Sequence, residues 1–242
     1  MKDQVRKMMN WAAILLLPAL LFSSCEDASY SSSSCPASEQ RSFNVSGFTR
    51  VDAGENFRLQ IQPGETFSLT AEGCTRDLDE LELDLHNGEL EIRYDRNRNN
   101  RRQVDITITM PALDGFNISG VAEANVLRFG AHDDFHATVS GAAEASFSGD
   151  MEQLTVNLSG TAKLKLNGTT DNLEVQLSGN PRLEAYNLPA KVADIEASGA
   201  AKAWVLASES LRVDASGNCR IYYKGNPSTD IRLSGASEVV HE

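Results

Sequence analysis

A column of serines is the first candidate for chemistry in this chain, because a serine hydroxyl beside a general base can act as a nucleophile. These serines, each followed by glycine, recur at intervals of 18 to 21 residues: Ser119, Ser140, Ser159, Ser178, Ser198, Ser216 and Ser234. No base stands beside any of them. Hydroxyls repeated in this way are typical of a structural role, bonding to one another or to a turn. We therefore predict structural serines and no catalytic residues.

A second candidate is a basic residue that follows the serine by four positions in successive repeats. The position is held by Lys163, Arg182, Lys202 and Arg220. Stacked on one outward face, these cations would attract an anionic glycan or a lipid headgroup, and the alternative is an ordinary solvated face. Stacked like charges are unfavourable unless neighbours offset them, and Glu184 is placed to offset Arg182.

Two aromatic residues, Trp204 and Tyr222, share the next outward position in consecutive repeats. We expect them about 4.8 Å apart, where they would suit sugar rings or a protein partner. The alternative is that both pack beneath a loop. Val240 continues this position in the last repeat, which has no obvious cap before Glu242. An uncovered rung favours pairing with a partner or a second copy, so this end is a candidate binding surface.

Two further clusters carry residue types that bind ions. In the segment 132–136, His132, Asp134 and His136 would share a face if a strand began here, but three ligands at a turn make a weak metal site. We predict a solvated loop there, and neither a metal nor a cofactor. The loop 95–103 contains four arginines, Arg96, Arg98, Arg101 and Arg102. We predict a mobile polar tip, with contact to phosphate or sulfate groups as the alternative.

The repeat that carries these residues reads as strand, Ser-Gly corner, strand and turn. Apolar and polar residues alternate on both sides of the corner, as in Val156-Asn157-Leu158 and Ala162-Lys163-Leu164. That alternation is the period of strands with one buried face. Helical periodicity is absent between the strands, which disfavours βαβ units, and the pattern of a leucine-rich repeat is absent too. We predict an all-β, parallel β-helix-like solenoid over residues 114–242, with turns such as Asn167-Gly168-Thr169.

Residues 41–113 have a sequence pattern different from that of the repeats, and we predict that they form a β-rich N-terminal cap. His86-Asn87-Gly88-Glu89 is typical of a tight hairpin turn between two alternating strands. Asn44-Val45-Ser46-Gly47-Phe48 repeats the Ser-Gly corner. This part is therefore also open to interpretation as irregular first rungs of the solenoid with insertions.

The sequence begins with a basic and then apolar stretch, residues 1–24, that is typical of a signal peptide. It ends in Leu21-Phe22-Ser23-Ser24-Cys25, which resembles the lipobox of bacterial lipoproteins, with Phe22 where that motif usually has leucine. The resemblance implies that Cys25 is acylated, which labelling with palmitate would detect. The acyl chains would anchor the protein to the membrane without a spanning helix. Ordinary secretion is the alternative. The serine-rich residues 25–40 would form a flexible tether.

The net charge restricts the classes of partner, and the number of cysteines restricts how they can pair. The formal net charge is −12, and −14 once the leader, which carries +2, is removed. An acidic surface argues against nucleic acid as a partner. With Cys25 acylated, three cysteines remain, so at least one is unpaired. We predict that Cys219, in a column of small residues, is buried, whereas Cys35 and Cys74 either pair with each other or stay apart.

Several of these segments resemble a known family. The stretch 45–51, the hairpin 87–92 and the repeated Ser-Gly strands are similar to the putative autotransporter-adhesin head GIN domain, over roughly residues 43–240. The resemblance implies a right-handed β-helix-like solenoid on a secreted or lipid-anchored bacterial protein of the cell envelope, with the outer membrane as the expected location. It brings no catalytic motif.

The leading functional hypothesis is a non-enzymatic cell-envelope lipoprotein that presents a β-helix for adhesion or ligand binding. Its partners would be the membrane, through Cys25, and a glycan or another envelope component, with self-association as a further option. One alternative is a carbohydrate-active enzyme similar to polysaccharide lyases, and the other is a purely structural envelope protein. A lyase site would need clustered carboxylates on neighbouring rungs, and the repeats place no three of them in one column.

Overall fold

The computed structural model describes Cys35 and residues 37–96, 98–130 and 132–242, with His132 as backbone only. The signal peptide, Cys25 and most of the tether lie outside these residues, so what the sequence predicts for them stays a prediction. The regular secondary structure of the described part is almost entirely strand, and it forms a β-solenoid of about seven turns. No helix within it is long and apolar enough to cross a membrane.

The elements are numbered in chain order. The N-terminal strands are β1 (Ser38–Phe43), β2 (Arg50–Ala53), β3 (Arg58–Pro63), β4 (Ser68–Cys74), β5 (Leu81–His86), β6 (Glu89–Tyr94) and β7 (Asp105–Met110), with the short helix α1 (Thr75–Leu78) between β4 and β5. The strands that follow are β8 (Gly115–Ile118), β9 (Glu123–Val126), β10 (His132–Val139), β11 (Glu144–Gly160), β12 (Lys163–Gly179), β13 (Arg182–Gly199), β14 (Lys202–Gly217), β15 (Arg220–Lys224), β16 (Ser228–Leu233) and β17 (Glu238–His241).

Successive repeats stack in parallel. β11 pairs with β12 from Glu144 opposite Lys163 to Gly160 opposite Gly179, and β13 and β14 continue the stack with register shifts after Lys165, Ala185 and Ala190. The all-β solenoid predicted from the alternation is therefore confirmed, while its hand stays a prediction. The predicted turn at Asn167-Gly168-Thr169 is wrong, because these residues remain inside β12 and pair with the rung below. A single glycine with φ of +123° bends the strand without ending it.

Each rung changes direction at its Ser-Gly pair because glycine supplies a backbone conformation that other residues avoid. The seven glycines of these pairs have φ between +70° and +94°. Six of their carbonyl oxygens accept hydrogen bonds from the next rung, as when Gly141 accepts from the Thr161 N–H at 2.7 Å. The same oxygens leave no space for a side chain. A Cβ on Gly160 would lie 2.5 Å from the Gly141 oxygen.

The N-terminal part both caps the solenoid and contributes rungs to it. β2 and β3 form a rung that lies between the rung of β6 and β7 and the rung of β8 and β9. The antiparallel strands β1, β4 and β5 close the end beyond β6 and β7. The hairpin at Asn87 and Gly88 has positive φ at both residues, as its sequence predicts.

The corner of this early rung is not the Ser46-Gly47 pair that the sequence suggests. A Cβ on Gly47 would meet nothing within 4 Å, so this glycine stacks on no neighbouring rung. Glu55 instead lies beneath Gly120, has φ of +60°, and accepts a hydrogen bond from the Val121 N–H at 2.8 Å. A non-glycine residue at this corner hides the repeat from a search for Ser-Gly pairs.

The core is a single cluster of inward side chains. Phenylalanines fill its N-terminal half, for example Phe135 and Phe147, whose rings stack at 4.2 Å, whereas alanine dominates the later rungs. Cys219 is buried and free, as predicted. Cys35 and Cys74 are joined by a disulfide bond, which ties the start of the described part to β4.

Candidate functional site

One outer face of the solenoid carries two parallel columns of side chains. The first column is charged and runs through Asp105, Arg58, Glu123, Glu144, Lys163, Arg182, Lys202, Arg220 and Glu238. The second lies two residues further along each strand and runs through Thr107, Gln60, Asn125, Ser146, Lys165, Glu184, Trp204, Tyr222 and Val240. The register thus aligns the four basic residues, and the two aromatic ones, as their spacing predicts.

The two columns line a shallow groove of about 680 Å³ that extends from Asp105 to Glu184. At the spacing of neighbouring strands, its six rungs make it roughly 24 Å long. A second hollow of about 400 Å³ shares Lys165, Arg182 and Glu184 with the first and reaches Trp204. We call the two hollows together the charged groove. Its length suits an extended chain-like ligand.

A ladder of hydrogen bonds fixes the polar groups in the middle of the charged groove. The Asn125 amide donates to the Gln60 side-chain oxygen at 3.3 Å, and the Ser146 hydroxyl donates to the Asn125 oxygen at 2.8 Å. Stacking one such side chain on each rung holds them in fixed orientations. The groove therefore presents amide and hydroxyl groups at regular intervals along its length.

Most charges of the first column are already paired. Arg58 contacts Asp105 at 3.0 Å and Glu123 at 3.3 Å, and Lys163 pairs with Glu144. Exposed pairs of this kind add little stability but do neutralise the column. Arg182 contacts Glu184 at 2.6 Å, which is the offset that the sequence predicts.

Three cations beside the charged groove remain available. Lys165, Lys202 and Arg220 have no acidic partner within 4 Å in the described part of the chain. Lys202 and Arg220 belong to the basic column that the sequence predicts, whereas Lys165 was not predicted. The signal for Lys165 was its place two residues after Lys163, which becomes informative once the second column is known to line the same groove.

Trp204 and Tyr222 stack face to face, with ring centroids 5.1 Å apart and planes 9° apart. Both are half-buried. The Arg182 guanidinium covers the other face of Trp204 at 4.2 Å from its centroid. Both faces of the indole are therefore occupied within the molecule, and a sugar ring would reach its edge rather than its face. The predicted stacking platform is not formed by Trp204 in this arrangement.

Tyr186, which the sequence analysis did not single out, closes the aromatic end of the charged groove. Its hydroxyl donates to Glu242 at 2.8 Å, and the Lys224 ammonium lies 4.3 Å from its ring centroid. Burial, together with the hydrogen bond to Glu242, raises the pKa of Tyr186 above its usual value. The phenol is thus a neutral donor at physiological pH, and it links β13 to the C-terminal end.

The serines and the histidine cluster do not converge on this groove. Ser159 lies opposite Ser178 on another face, and the Ser198 hydroxyl donates to the Leu177 carbonyl at 3.4 Å, which fits the structural role. The segment around His136 is not the solvated loop that we predicted but the strand β10, because alternate residues such as Phe135 and Ala137 are buried in the core. The His132 side chain lies outside the described part, so the shared face of the three ligands stays a prediction.

The arginine loop is also committed elsewhere. Arg98 pairs with Asp77 and contacts Glu80 at 3.2 Å, and Arg101 contacts Glu80 at 2.5 Å while its guanidinium lies 3.8 Å from the Tyr94 ring centroid. The Asp77 side chain is 1% exposed and that of Arg101 is 6% exposed. The prediction of a mobile tip is therefore wrong for these two arginines, which anchor the loop to α1.

Three carboxylates do align in the cap, although the repeats contain no such set. The register places Asp84 opposite Glu91 and Glu91 opposite Asp52. Arg93 reaches the first two, at 2.6 Å and 3.7 Å. Among the described residues, no group of three His, Cys, Asp or Glu side chains is placed to hold a metal ion.

Most of the chain matches a known protein family. A family model described as "Putative auto-transporter adhesin, head GIN domain" matches residues 47–227. This range includes every rung from β2 to β15. The chain matches no curated protein.

Several solved structures share the fold. A putative adhesin from Bacteroides fragilis is 22% identical with a TM-score of 0.76, over 85% of this chain and 96% of that one. A putative adhesin from Parabacteroides merdae is 13% identical with a TM-score of 0.69, over 86% and 97%. A putative lipid binding protein from Parabacteroides distasonis is 16% identical with a TM-score of 0.68, over 86% and 97%. At these identities the likeness shows a common fold.

Proposed function

The chain belongs to the family of putative auto-transporter adhesins, head GIN domain, and from this premise we propose that it is a non-enzymatic, lipid-anchored module of the cell envelope that binds an extended anionic glycan. Two related structures carry the name adhesin. The proposed attachment is acylation of Cys25, and the proposed binding surface is the charged groove with its adjoining cations.

The observation that carries this proposal is the row of spaced polar groups along the charged groove. Gln60, Asn125 and Ser146 present amide and hydroxyl groups on consecutive rungs. Sugar chains offer hydroxyls at a regular repeat, so a ladder of fixed donors and acceptors can bond several residues of one chain at once. Lys165 and Lys202 add unpaired positive charge, which would select carboxylate or sulfate substituents.

The anchoring half of the proposal predicts that Cys25→Ala moves the protein from the membrane fraction to the soluble fraction. Acyl chains are the only attachment that the proposal assigns to this protein, so removing their site removes the binding. Palmitate labelling, combined with fractionation of cells that produce each form, measures the change. Labelling that persists in the variant would show that Cys25 is not the acylated residue.

The binding half predicts that Lys165→Glu and Lys202→Glu each weaken binding to a sulfated or uronic-acid oligosaccharide by roughly ten-fold or more, which corresponds to about 1.4 kcal/mol. Each change replaces an unpaired attractive charge by a repulsive one. Binding would be measured by calorimetry against neutral, uronic and sulfated oligosaccharides of equal length. Lys191→Glu is the matched control, because Lys191 is exposed, pairs with Asp171 at 2.8 Å and does not line the charged groove.

The same experiment separates the competing functions. Equal loss in Lys191→Glu would mean that net charge, rather than the charged groove, drives binding. Binding to vesicles of anionic lipid but to no glycan would favour a lipid ligand, as in the name of the Parabacteroides distasonis protein. Release of reducing ends from the oligosaccharide would favour the polysaccharide lyase alternative, and no binding to any probe would leave the structural alternative.

A further inference from the structure

The last rung of the solenoid has an open edge. β16 pairs along one side with β14, and no strand in the described part of the chain pairs with its other side. Ile231 and Leu233 continue core columns in which Val213 and Ala215 are buried, yet they are 38% and 44% exposed. Apolar side chains of core type are thus uncovered beside an unpaired strand, which is the usual condition for strand addition.

The hydrogen-bonding groups on this edge can be assigned from the pairing on the other side. The Ser234 N–H donates to the Ala215 oxygen at 2.9 Å, so that residue faces β14. Backbone groups of a strand alternate between its two sides. The N–H and C=O groups of Thr229, Ile231 and Leu233 therefore point away from β14, and they present a row of free donors and acceptors.

The outward side chains of β16 are complementary in charge to those of a second β16 that runs in the opposite direction. Asp230 and Arg232 flank Ile231, and they contact each other at 3.4 Å within the chain. If a second β16 ran antiparallel with Ile231 opposite Ile231, then Asp230 would face Arg232 of the second copy, and the reverse pair would form by symmetry. We propose that this edge binds the same edge of a second copy of this chain, in that register.

Backbone geometry supports that register. Ile231 would exchange two hydrogen bonds with its counterpart, and Thr229 would do so with Leu233 of the second copy. Asp230 and Arg232 would then lie at the pairs without backbone hydrogen bonds, where opposite side chains approach most closely. A pair of this kind uses the same surface on both copies, so it closes at two copies and does not grow into a fibre.

At the other end of the described part, the antiparallel strands β1, β4 and β5 cover the rung of β6 and β7 and close the solenoid. The described part also begins at that closed end, where Cys35 is bonded to Cys74. Two paired copies would therefore hold the first described residues of their chains far apart. That arrangement suits contact between copies that are anchored on two facing membrane surfaces. This consequence depends on the proposed anchor, whereas the pairing itself does not.

The test is a charge reversal measured by sedimentation equilibrium of the full chain. We expect a monomer–dimer equilibrium for the unchanged protein, at least ten-fold weaker association for Asp230→Arg alone and for Arg232→Asp alone, and recovery in the double variant. A mixture of the two single variants should form a heterodimer, because each supplies the charges that the other lacks. Glu174→Arg is the matched control, since Glu174 lies in the same column three rungs away.

Each outcome decides the question. Recovery in the double variant and in the mixture supports the register. The proposal is overturned if the wild-type protein stays monomeric at its highest soluble concentration. It is also overturned if none of the substitutions alters the association. Both exposed positions tolerate substitution without burying charge, so circular dichroism should show an unchanged fold. Glycan binding by the charged groove is measured separately and can fail or succeed independently.

Discussion

Gly160→Val should lower the free energy of unfolding by about 4 kcal/mol or more. Only a few mechanisms cause a loss of this size. Two of those mechanisms act together at this glycine. Its φ of +73° lies in the left-handed region, which a β-branched residue strongly disfavours. Its Cβ would also lie 2.5 Å from the Gly141 oxygen, which is the acceptor for the Thr161 N–H. Relief of that contact would break the corner bond between two rungs.

Two other glycines separate the contributions of conformation and contact. Gly47 has φ of +82° but nothing within 4 Å of a Cβ, so Gly47→Val should show the conformational cost alone, of order 1–3 kcal/mol. Gly130 has neither a positive φ nor a neighbour within 4 Å, and Gly130→Val should stay within about 0.5 kcal/mol of the unchanged protein. Urea denaturation of the three variants measures the series. Equal effects at Gly160 and Gly47 would contradict the steric part of the explanation.

The repeats were predictable because their physics is local. Alternation and a glycine at the corner recur in each copy, so the solenoid and the alignment of Lys163 with Arg182 follow from counting residues. The early rung was not predictable in the same way. Glu55 replaces glycine at its corner, and the chain leaves after β3 to build the cap before it returns in β8. The order of rungs in space therefore differs from their order in sequence.

The charged groove was likewise only partly predictable from the sequence. Its later half consists of regular repeats, so residue spacing alone predicts the basic column there. Its earlier half depends on Gln60 and Asn125 being neighbours, although they belong to β3 and β9 and are separated by the whole cap. Ring orientation was also beyond the sequence. Spacing placed Trp204 beside Tyr222, but only the structure shows that Arg182 covers the second face of the indole.

The anchor of the arginine loop is the other place where a single side chain has a large effect. Asp77, on α1, is 1% exposed and accepts a hydrogen bond from the Arg102 N–H at 3.2 Å in addition to pairing with Arg98. Glu80 extends the network. Burial acts to raise the pKa of Glu80, but the hydrogen bonds and charges of Arg101 and Arg98 outweigh it, and that pKa lies below its usual value. A carboxyl with a lowered pKa stabilises the fold above its unfolded pKa and ceases to do so as the pH falls through the folded one.

Asp77→Ala should destabilise the protein by about 2–3 kcal/mol, because it removes the buried acceptor of the Arg98 guanidinium and of the Arg102 N–H, while Glu80 still contacts Arg98 at 3.2 Å. Asp79→Ala is the matched control two residues away. Asp79 is 60% exposed and pairs with Arg41 at 2.6 Å, so its loss should cost about 0–1 kcal/mol. Urea midpoints measured at neutral pH give the difference between the two variants. On acidification through the range of Glu80, the unchanged protein should lose stability more steeply than an Asp77→Ala/Glu80→Gln variant, which lacks both carboxylates of the network. If the two aspartates prove equivalent at neutral pH, the loop is held by its backbone and the buried network has no special part in the cap.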